Sequence, residues 1–248
     1  MSGLFARLTI SSAFALAAVF ALPSIARAAP DFSGIWSPDQ GVLWALPTPA
    51  GERQPPPFTP EYAAQYKEAL DASAAGRPKA DPPAQCLPPG VPRMMASPLP
   101  FEIVHGKNVI YFLHEYMSQI RRIFMNGSAP ESLGLPTFNG RSSGKWEDDV
   151  LVIETSEVRG ESVLDTTHLP HSEELRVVER IRLLAPDKLQ DEISLIDPKA
   201  YTRPWKVTRT YTRKKGEQIL EYVCEENNRN PMLKDGSTGF IGPDGKPQ

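Results

Sequence analysis

The stretch from residue 170 to residue 205 has the clearest hydrophobic pattern in the chain. Side chains of a β-strand alternate between two faces, so apolar residues at every second position mark the buried face. In the first half of the stretch, one face carries Leu175, Val177, Glu179, Ile181 and Leu183. In the second half, one face carries Leu189, Asp191, Ile193 and Leu195. The pattern predicts two long antiparallel strands joined by a tight turn at Ala185-Pro186-Asp187-Lys188.

Both buried faces contain an acidic residue, Glu179 in the first strand and Asp191 in the second. Burying a carboxylate costs several kcal/mol unless the group is paired or neutral. A chain that places charge on its inward faces therefore builds an internal ion-pair network or lines a site.

Shorter segments of strand character precede and follow this pair. The predicted strands are an opening strand around Gly34–Trp36, then Phe101–His105, Val109–Met117, Ser118–Met125, Gly140–Trp146, Val150–Thr155, Trp205–Arg213 and Ile219–Cys224. Both faces of Val109–Met117 are largely apolar, so the pattern does not decide which face points inward. About nine strands in hairpin succession favour an all-β fold, an up-and-down antiparallel barrel or a strongly curled sheet. An immunoglobulin-like sandwich is the alternative, but the cysteine placement does not match its inter-sheet bridge.

One helix is predicted near the start of the chain. Thr59 supplies a capping hydroxyl, Pro60 occupies the first helical position and Glu61 lies in the first turn. The helix should continue to about Ala75, before Gly76-Arg77-Pro78. Proline-rich segments at 47–57 and 77–100 flank it, and they should form an extended connector and an arm.

The first 28 residues have the features of a secretory signal peptide. Arg7 provides the positive start, residues 10–22 the apolar run and Ala26-Arg27-Ala28 the cleavage site. A membrane anchor is the rival interpretation, but the apolar run is short and ends at Pro23. The chain then divides into the signal peptide (1–28), a segment with the first strand, helix and proline-rich arm (29–98), a barrel body (99–227) and a flexible tail (228–248). Secretion predicts a periplasmic or extracellular protein.

The net charge argues against two classes of binding partner, and the cysteine content predicts a disulfide. The formal net charge is −3, which does not favour binding to nucleic acid or to an anionic membrane surface. In an oxidising compartment the only two cysteines, Cys86 and Cys224, most simply form one disulfide. It would hold the arm against the end of the chain.

The sequence contains no spacing that predicts a metal or nucleotide cofactor. The four histidines do not form a metal-binding motif, and no glycine-rich phosphate loop is present. Ser33 and Ser142 are weak candidates for a nucleophile. Gly140-x-Ser142-x-Gly144 opens a strand of a hairpin and so lacks the strand-to-helix turn of a hydrolase elbow.

Several motifs resemble those of a secreted, lipocalin-like bacterial family that is frequent in proteobacteria that degrade aromatic compounds. The motifs are Gly34-x-Trp36, Cys86-x-Pro88-x-Gly90-x-Pro92, Ser142-x-Gly144-x-Trp146-Glu147-x-Asp149-x-Leu151-Val152, Pro170-His171-Ser172-Glu173-x-Leu175-x-Val177-Val178-Glu179-Arg180 and Asp197-Pro198-x-x-Tyr201-x-x-Pro204-Trp205. The resemblance implies a barrel whose floor is closed by Trp36 and an association with cleavage of lignin-type aryl ethers. The chain departs from the family at Asn126–Pro130 and at Arg141, where charged residues and a histidine are usual.

Two groups of residues are candidates for the chemistry. His168 and His171 lie in the loop that enters the long strands, where Glu173 could orient His171, and histidine exchanges protons near neutral pH. The alternative role for each histidine is structural. The second group is Glu115, Arg121, Glu179 and Arg209. Glu179 and Arg209 could meet inside the barrel, either as a structural ion pair or as a polar patch that holds a substrate oxygen.

The main hypothesis is a cofactor-free enzyme, of lyase or hydrolase type, that cleaves an aromatic ether by acid/base catalysis. In it His171 transfers the proton, Arg121 and Glu115 hold the substrate oxygens, and His168 and Tyr201 assist. The predicted binding residues are Glu179, Arg209, Tyr211 and Trp205. The alternatives are a periplasmic carrier for a small apolar or aromatic ligand and a cell-envelope assembly factor.

Overall fold

Nine β-strands form a closed barrel in the computed structural model, which describes residues 29–41, 56–132 and 134–226. The all-β barrel predicted from the alternation is therefore confirmed. The strands are β1 Gly34–Pro38, β2 Phe101–His105, β3 Val109–His114, β4 Gln119–Met125, β5 Arg141–Glu147, β6 Val150–Ser156, β7 Arg176–Ala185, β8 Lys188–Ile196 and β9 Trp205–Lys214. One α-helix, α1, spans Pro60–Ala74, and Pro60 begins it as predicted.

The barrel closes where the first strand meets the last. β1 pairs antiparallel with β9 from Ile35 opposite Lys214 to Pro38 opposite Tyr211, and β1 pairs with β2 on its other side. Closure of this kind gives each of the nine strands a neighbour on both sides. All neighbouring strands are antiparallel except β4 and β5, which pair in parallel over three positions.

The predicted strand Ile219–Cys224 is wrong, because the backbone of this segment is not part of the sheet. β9 uses its free edge to bind β1, so no edge remains for a hairpin partner after Lys214. The segment instead runs back over the barrel, where the Leu220 N–H donates to Glu115 over 3.0 Å. Predicted strand Val109–Met117 also ends earlier, because Tyr116–Ser118 forms a short 3₁₀ turn.

Trp36 closes one end of the barrel, the floor. Its side chain is fully buried, and its indole N–H donates to the carbonyl oxygen of Phe32 over 2.9 Å. The guanidinium of Arg213 lies 4.3 Å from the centre of the Trp36 ring, which is a favourable cation–π distance. Phe32 packs edge-on against Trp146 at 5.1 Å, so aromatic rings fill the floor.

The arm between β1 and β2 covers the opposite end of the barrel, the mouth. Its 3₁₀ turn Arg93–Ala96 is buried in the core, and the Tyr211 hydroxyl donates to the carbonyl oxygen of Met95 over 2.9 Å. The predicted disulfide between Cys86 and Cys224 is present, with Cα atoms 5.7 Å apart. It fastens the arm to the segment that follows β9, which replaces the predicted last strand.

The predicted signal peptide (1–28), most of the proline-rich connector at 47–57 and the predicted tail (228–248) lie outside the described residues. Within the described ranges, no helix has the length and hydrophobicity that crossing a bilayer requires.

Candidate functional site

A buried salt bridge between Arg121 and Glu179 lies at the centre of the barrel. Arg121 Nη1 donates to Glu179 Oε1 over 2.9 Å, and Arg121 Nη2 donates to Glu179 Oε2. The same guanidinium donates to Thr155 Oγ1 over 2.9 Å and to Ser142 Oγ over 3.2 Å. The two charged side chains are 1 % and 0 % exposed, so the pair is isolated from solvent.

The strand register explains why these four side chains meet. Ser142 and Thr155 face each other on β5 and β6, and their hydroxyl oxygens are 2.8 Å apart. Arg121 on β4 and Glu179 on β7 flank that hairpin, and both point inward because their neighbours at two-residue spacing are core residues. Polar positions on one face of four successive strands thus form a single hydrogen-bonded network, the luminal network.

Glu179 was predicted to meet Arg209, and that prediction is wrong. Its salt bridge is with Arg121, whereas Arg209 on β9 lies directly opposite Asp191 on β8. Arg209 is fully buried, and its Nη1 donates to the carbonyl oxygen of Gly41 over 2.7 Å. The error arises because β7 and β9 are not neighbours: β8 separates them.

Asp191 and Glu179 form a buried carboxyl pair, because Asp191 lies opposite Ile181, two residues from Glu179 on the same face of β7. Burial and the neighbouring Glu179 raise the pKa of Asp191 well above its usual range, against the opposing effects of Arg121 and Arg209. A protonated Asp191 can donate a hydrogen bond to Glu179, which is itself held by Arg121. The barrel therefore contains two neighbouring carboxyl groups, one of them with a raised pKa, beside two guanidinium groups, an arrangement frequent in active sites.

Aromatic rings line the barrel interior next to the luminal network. Phe101 stacks on His114 with ring centres 5.1 Å apart, and it meets the edge of Tyr211 at the same distance. Phe112 lies between the two regions, with the Arg121 guanidinium 5.8 Å from its ring centre. Burial raises the pKa of Tyr211 well above its usual range, so its hydroxyl stays protonated.

His114 is a luminal residue that the sequence analysis did not select. Within the described chain, neither ring nitrogen of His114 has a hydrogen-bond partner. The same holds for Trp205 Nε1 and for both carboxyl oxygens of Asp191. Buried polar atoms are almost always hydrogen-bonded in native proteins, so such a group of atoms in one interior points to a bound polar molecule. In the sequence, His114 shares one strand face with Ile110 and Phe112. Both faces of that strand are largely apolar, so the pattern could not show that His114 points inward.

His114 should make the protein less stable in mild acid. Burial, with a smaller effect of Arg121, lowers the pKa of His114 from 6.5 to about 3. The unfolded chain then binds more protons than the folded one, so stability is lost as the pH falls from 6.5 towards 3. At pH 5 we expect the penalty to be about 2 kcal/mol relative to pH 7.

Chemical denaturation at pH 7 and pH 5 measures this penalty as a change in the free energy of unfolding. His114→Phe keeps an aromatic ring between Phe101 and Phe112 and should remove most of the pH-dependent loss. The other histidines contribute equally to both proteins and cancel in the difference. An unchanged loss between the two pH values in the variant would contradict a neutral, buried His114.

His171, the residue predicted to transfer the proton, is buried in the loop between β6 and β7. Its Nδ1 donates to the carbonyl oxygen of Ser172 over 2.9 Å, and its Nε2 lies 2.8 Å from the Ser162 hydroxyl. Burial lowers the pKa of His171. The Ser162 hydroxyl also lies 2.8 Å from the carbonyl oxygen of Arg159, and its one proton can be donated either to that oxygen or to His171 Nε2. Glu173 was expected to orient the ring, and that detail is wrong, since Ser162 and Ser172 do so. Proton transfer by His171 would require one of these bonds to break.

The remaining predicted residues surround the mouth or hold loops in place. The Tyr201 hydroxyl donates to the carbonyl oxygen of Pro170 over 3.2 Å, and its ring packs against Trp205 at 6.0 Å. Burial raises the pKa of Tyr201 well above its usual range. His168 Nε2 lies 2.9 Å from the carbonyl oxygen of Lys79 and so links the loop to the arm. Glu115 accepts the Leu220 N–H and does not join Arg121 in the luminal network.

No protein-family model and no curated protein matches the chain. The resemblance drawn from the motifs therefore stays a prediction. Among the described residues, no group of three or more histidine, cysteine, aspartate or glutamate side chains is arranged to hold a metal ion.

Proposed function

We propose that the protein is a secreted, cofactor-free enzyme that cleaves an ether bond of a small aromatic compound by acid/base catalysis inside the barrel. One observation carries this proposal: the buried carboxyl groups of Asp191 and Glu179 lie near each other, beside Arg121 and Arg209, in an interior that contains aromatic rings. A neutral acid next to a carboxylate supplies both partners that proton transfer needs.

The carboxyl pair would perform the reaction without a net change in its own protonation. A hydroxyl on the carbon next to the ether carbon gives its proton to Glu179, and its oxygen attacks the ether carbon. The carbon–oxygen bond of the ether breaks, and its electron pair leaves with the aryloxide. Asp191 then gives its proton to the aryloxide, so the products are an epoxide and a phenol. The pair holds one proton before and after the step.

The guanidinium groups and the rings would position the substrate. Arg209 lies opposite Asp191, so its positive charge stabilises the aryloxide as negative charge develops on the oxygen. The aromatic rings of Phe101, Phe112 and Trp205 provide apolar surfaces for the substrate ring. His171 and Tyr201 would act as positioning residues, because their hydrogen bonds hold the loops over the mouth.

A turnover assay tests the proposal. The chain from residue 29 onward is incubated with a panel of β-aryl ethers that carry the neighbouring hydroxyl, and released phenol is followed by mass spectrometry. Asp191→Asn keeps the size of the side chain but removes the transferable proton, so turnover should fall by about 100-fold or more. Asp187→Asn, the same change on the exposed turn between β7 and β8, should leave turnover unchanged.

The same assay separates the enzyme from a carrier for small aromatic ligands. The carrier is the second candidate because the ring nitrogens of His114 and Trp205 Nε1 can bind a polar group without any proton transfer. A carrier would bind the ethers, as seen by calorimetry, and release no phenol. Turnover that survives Asp191→Asn unchanged would refute the proposed role of the carboxyl pair.

A further inference from the structure

The seam between β4 and β5 forms a cleft on the outer face of the barrel. The two strands pair only from Ile123 to Met125, so they diverge on either side of that short contact. Two adjoining cavities of about 240 and 280 Å³ open along the seam, and both are lined by Phe124, Thr137, Gly140 and Arg141. We call these two cavities together the seam cleft.

Two arginines of the seam cleft, Arg122 and Arg141, form no ion pair with a carboxylate of the described chain. Outward-facing arginines on β7 form ion pairs: Arg176 with Glu154, Arg180 with Glu147 and Arg182 with Glu192. Arg122 and Arg141, by contrast, have no acidic partner within the described chain, although both line the smaller cavity. Arg141 donates to the carbonyl oxygen of Pro130, a neutral group that fixes the guanidinium but does not neutralise it.

Charge is unevenly distributed along the seam cleft, so the cleft favours one orientation of a bound ligand. The smaller cavity is lined by Arg122, Arg141 and the buried Arg121, which is paired with Glu179, and by no acidic residue of the described chain. The larger cavity is lined by Glu131 and Glu157 together with Phe124, Pro130 and Leu135. An anionic group is therefore favoured at the Arg122 end, and an apolar ring is favoured beside Phe124 and Leu135, which is 67 % exposed.

We propose that the seam cleft, which borders Arg121 and Ser142 of the luminal network, is a binding site for a small aromatic carboxylate. Arg122 and Arg141 bind the carboxylate, which suits the planar fork of a guanidinium. Phe124 packs against the ring. The proposal does not depend on ether cleavage in the interior.

Titration with 4-hydroxybenzoate, followed by amide and side-chain NMR shifts and by calorimetry, tests the site. We expect saturable shifts at Phe124, Thr137 and Gly140, and binding that weakens as salt is added. Its neutral analogue 4-hydroxybenzamide should bind at least about tenfold more weakly, because it lacks the charge-assisted hydrogen bonds. Arg122→Gln with Arg141→Gln should weaken 4-hydroxybenzoate by about 10- to 100-fold.

Controls keep the test independent of folding and of the interior. Arg122→Gln alone retains the contact of Arg141 with Pro130, so it should weaken 4-hydroxybenzoate binding in part without a structural change. Arg180→Gln, on the outer face of β7, should bind 4-hydroxybenzoate normally. Asp191→Asn should also bind normally, since it changes only the interior. Equal binding of acid and amide, equal binding by the double variant, or shifts confined to luminal residues such as His114 would each overturn the proposal.

Discussion

Replacing Arg121 by methionine is expected to lower the free energy of unfolding by about 3–5 kcal/mol. Among the described residues, Arg121 provides the only guanidinium that hydrogen-bonds Glu179. The change leaves that carboxylate in the barrel interior near Asp191, where it is 0 % exposed. It also removes the donors that serve Ser142 and Thr155. Denaturation by guanidinium chloride, followed by tryptophan fluorescence, measures the loss.

Two further variants show whether the loss comes from the uncompensated charge. Arg121→Met combined with Glu179→Leu removes both charges and should recover most of the stability, because hydrophobic replacements of buried ion pairs are often neutral or stabilising. Arg122→Met changes the adjacent residue, which is exposed on the outer face, and should alter stability by no more than about 0.5 kcal/mol. A loss from Arg121→Met that Glu179→Leu does not relieve would show that packing, rather than charge, dominates.

Removing the disulfide with Cys86→Ser and Cys224→Ser is expected to cost about 4–5 kcal/mol. The bond joins residues 138 positions apart, so it restricts the unfolded chain strongly. In the folded protein it fastens the buried arm to the segment after β9, and the arm covers the mouth. The variant should therefore also become sensitive to proteolysis within the arm before the barrel unfolds.

Urea denaturation with and without a thiol reductant measures the contribution of the disulfide. The reductant should lower the stability of the natural chain to that of the double serine variant and should leave the variant unchanged. If the variant were as stable as the oxidised natural chain, the disulfide would contribute nothing, and the non-covalent contacts of the arm, such as that of Met95 with Tyr211, would hold the mouth closed.

Local patterns predicted most of the fold. The alternation around Glu179 and Asp191 placed both carboxyl groups inside, and the proline and acid after Thr59 located the start of the helix. The pairing of β9 with β1 was not predictable in this way, because it joins segments about 175 residues apart and no local spacing encodes it. The segment 219–224 has strand character but no strand edge on which to pair.

The sequence predicted which residues lie in the candidate site more successfully than it predicted which of them contact one another. Arg121, Glu179, Arg209 and Tyr211 were selected, and all four are buried in the interior. Their partners depend on which strands lie side by side or across the barrel, so the Arg121–Glu179 bridge could not be read from spacing. His114 was missed because both faces of its strand are apolar, and only closure of the barrel decides which face is inside.

The β1–β9 contact also constrains how the molecule folds. Gly34–Pro38 is made near the start of the chain, yet its partner, Trp205–Lys214, is made last among the strands. Joining such distant segments carries a large loop-closure entropy, and proteins dominated by distant contacts fold slowly. Until Lys214 has been synthesised, the barrel cannot close. The partly formed sheet then has two unpaired edges, one on β1 or β2 and one on the most recently synthesised strand. Chaperone protection during synthesis would be most valuable in this interval.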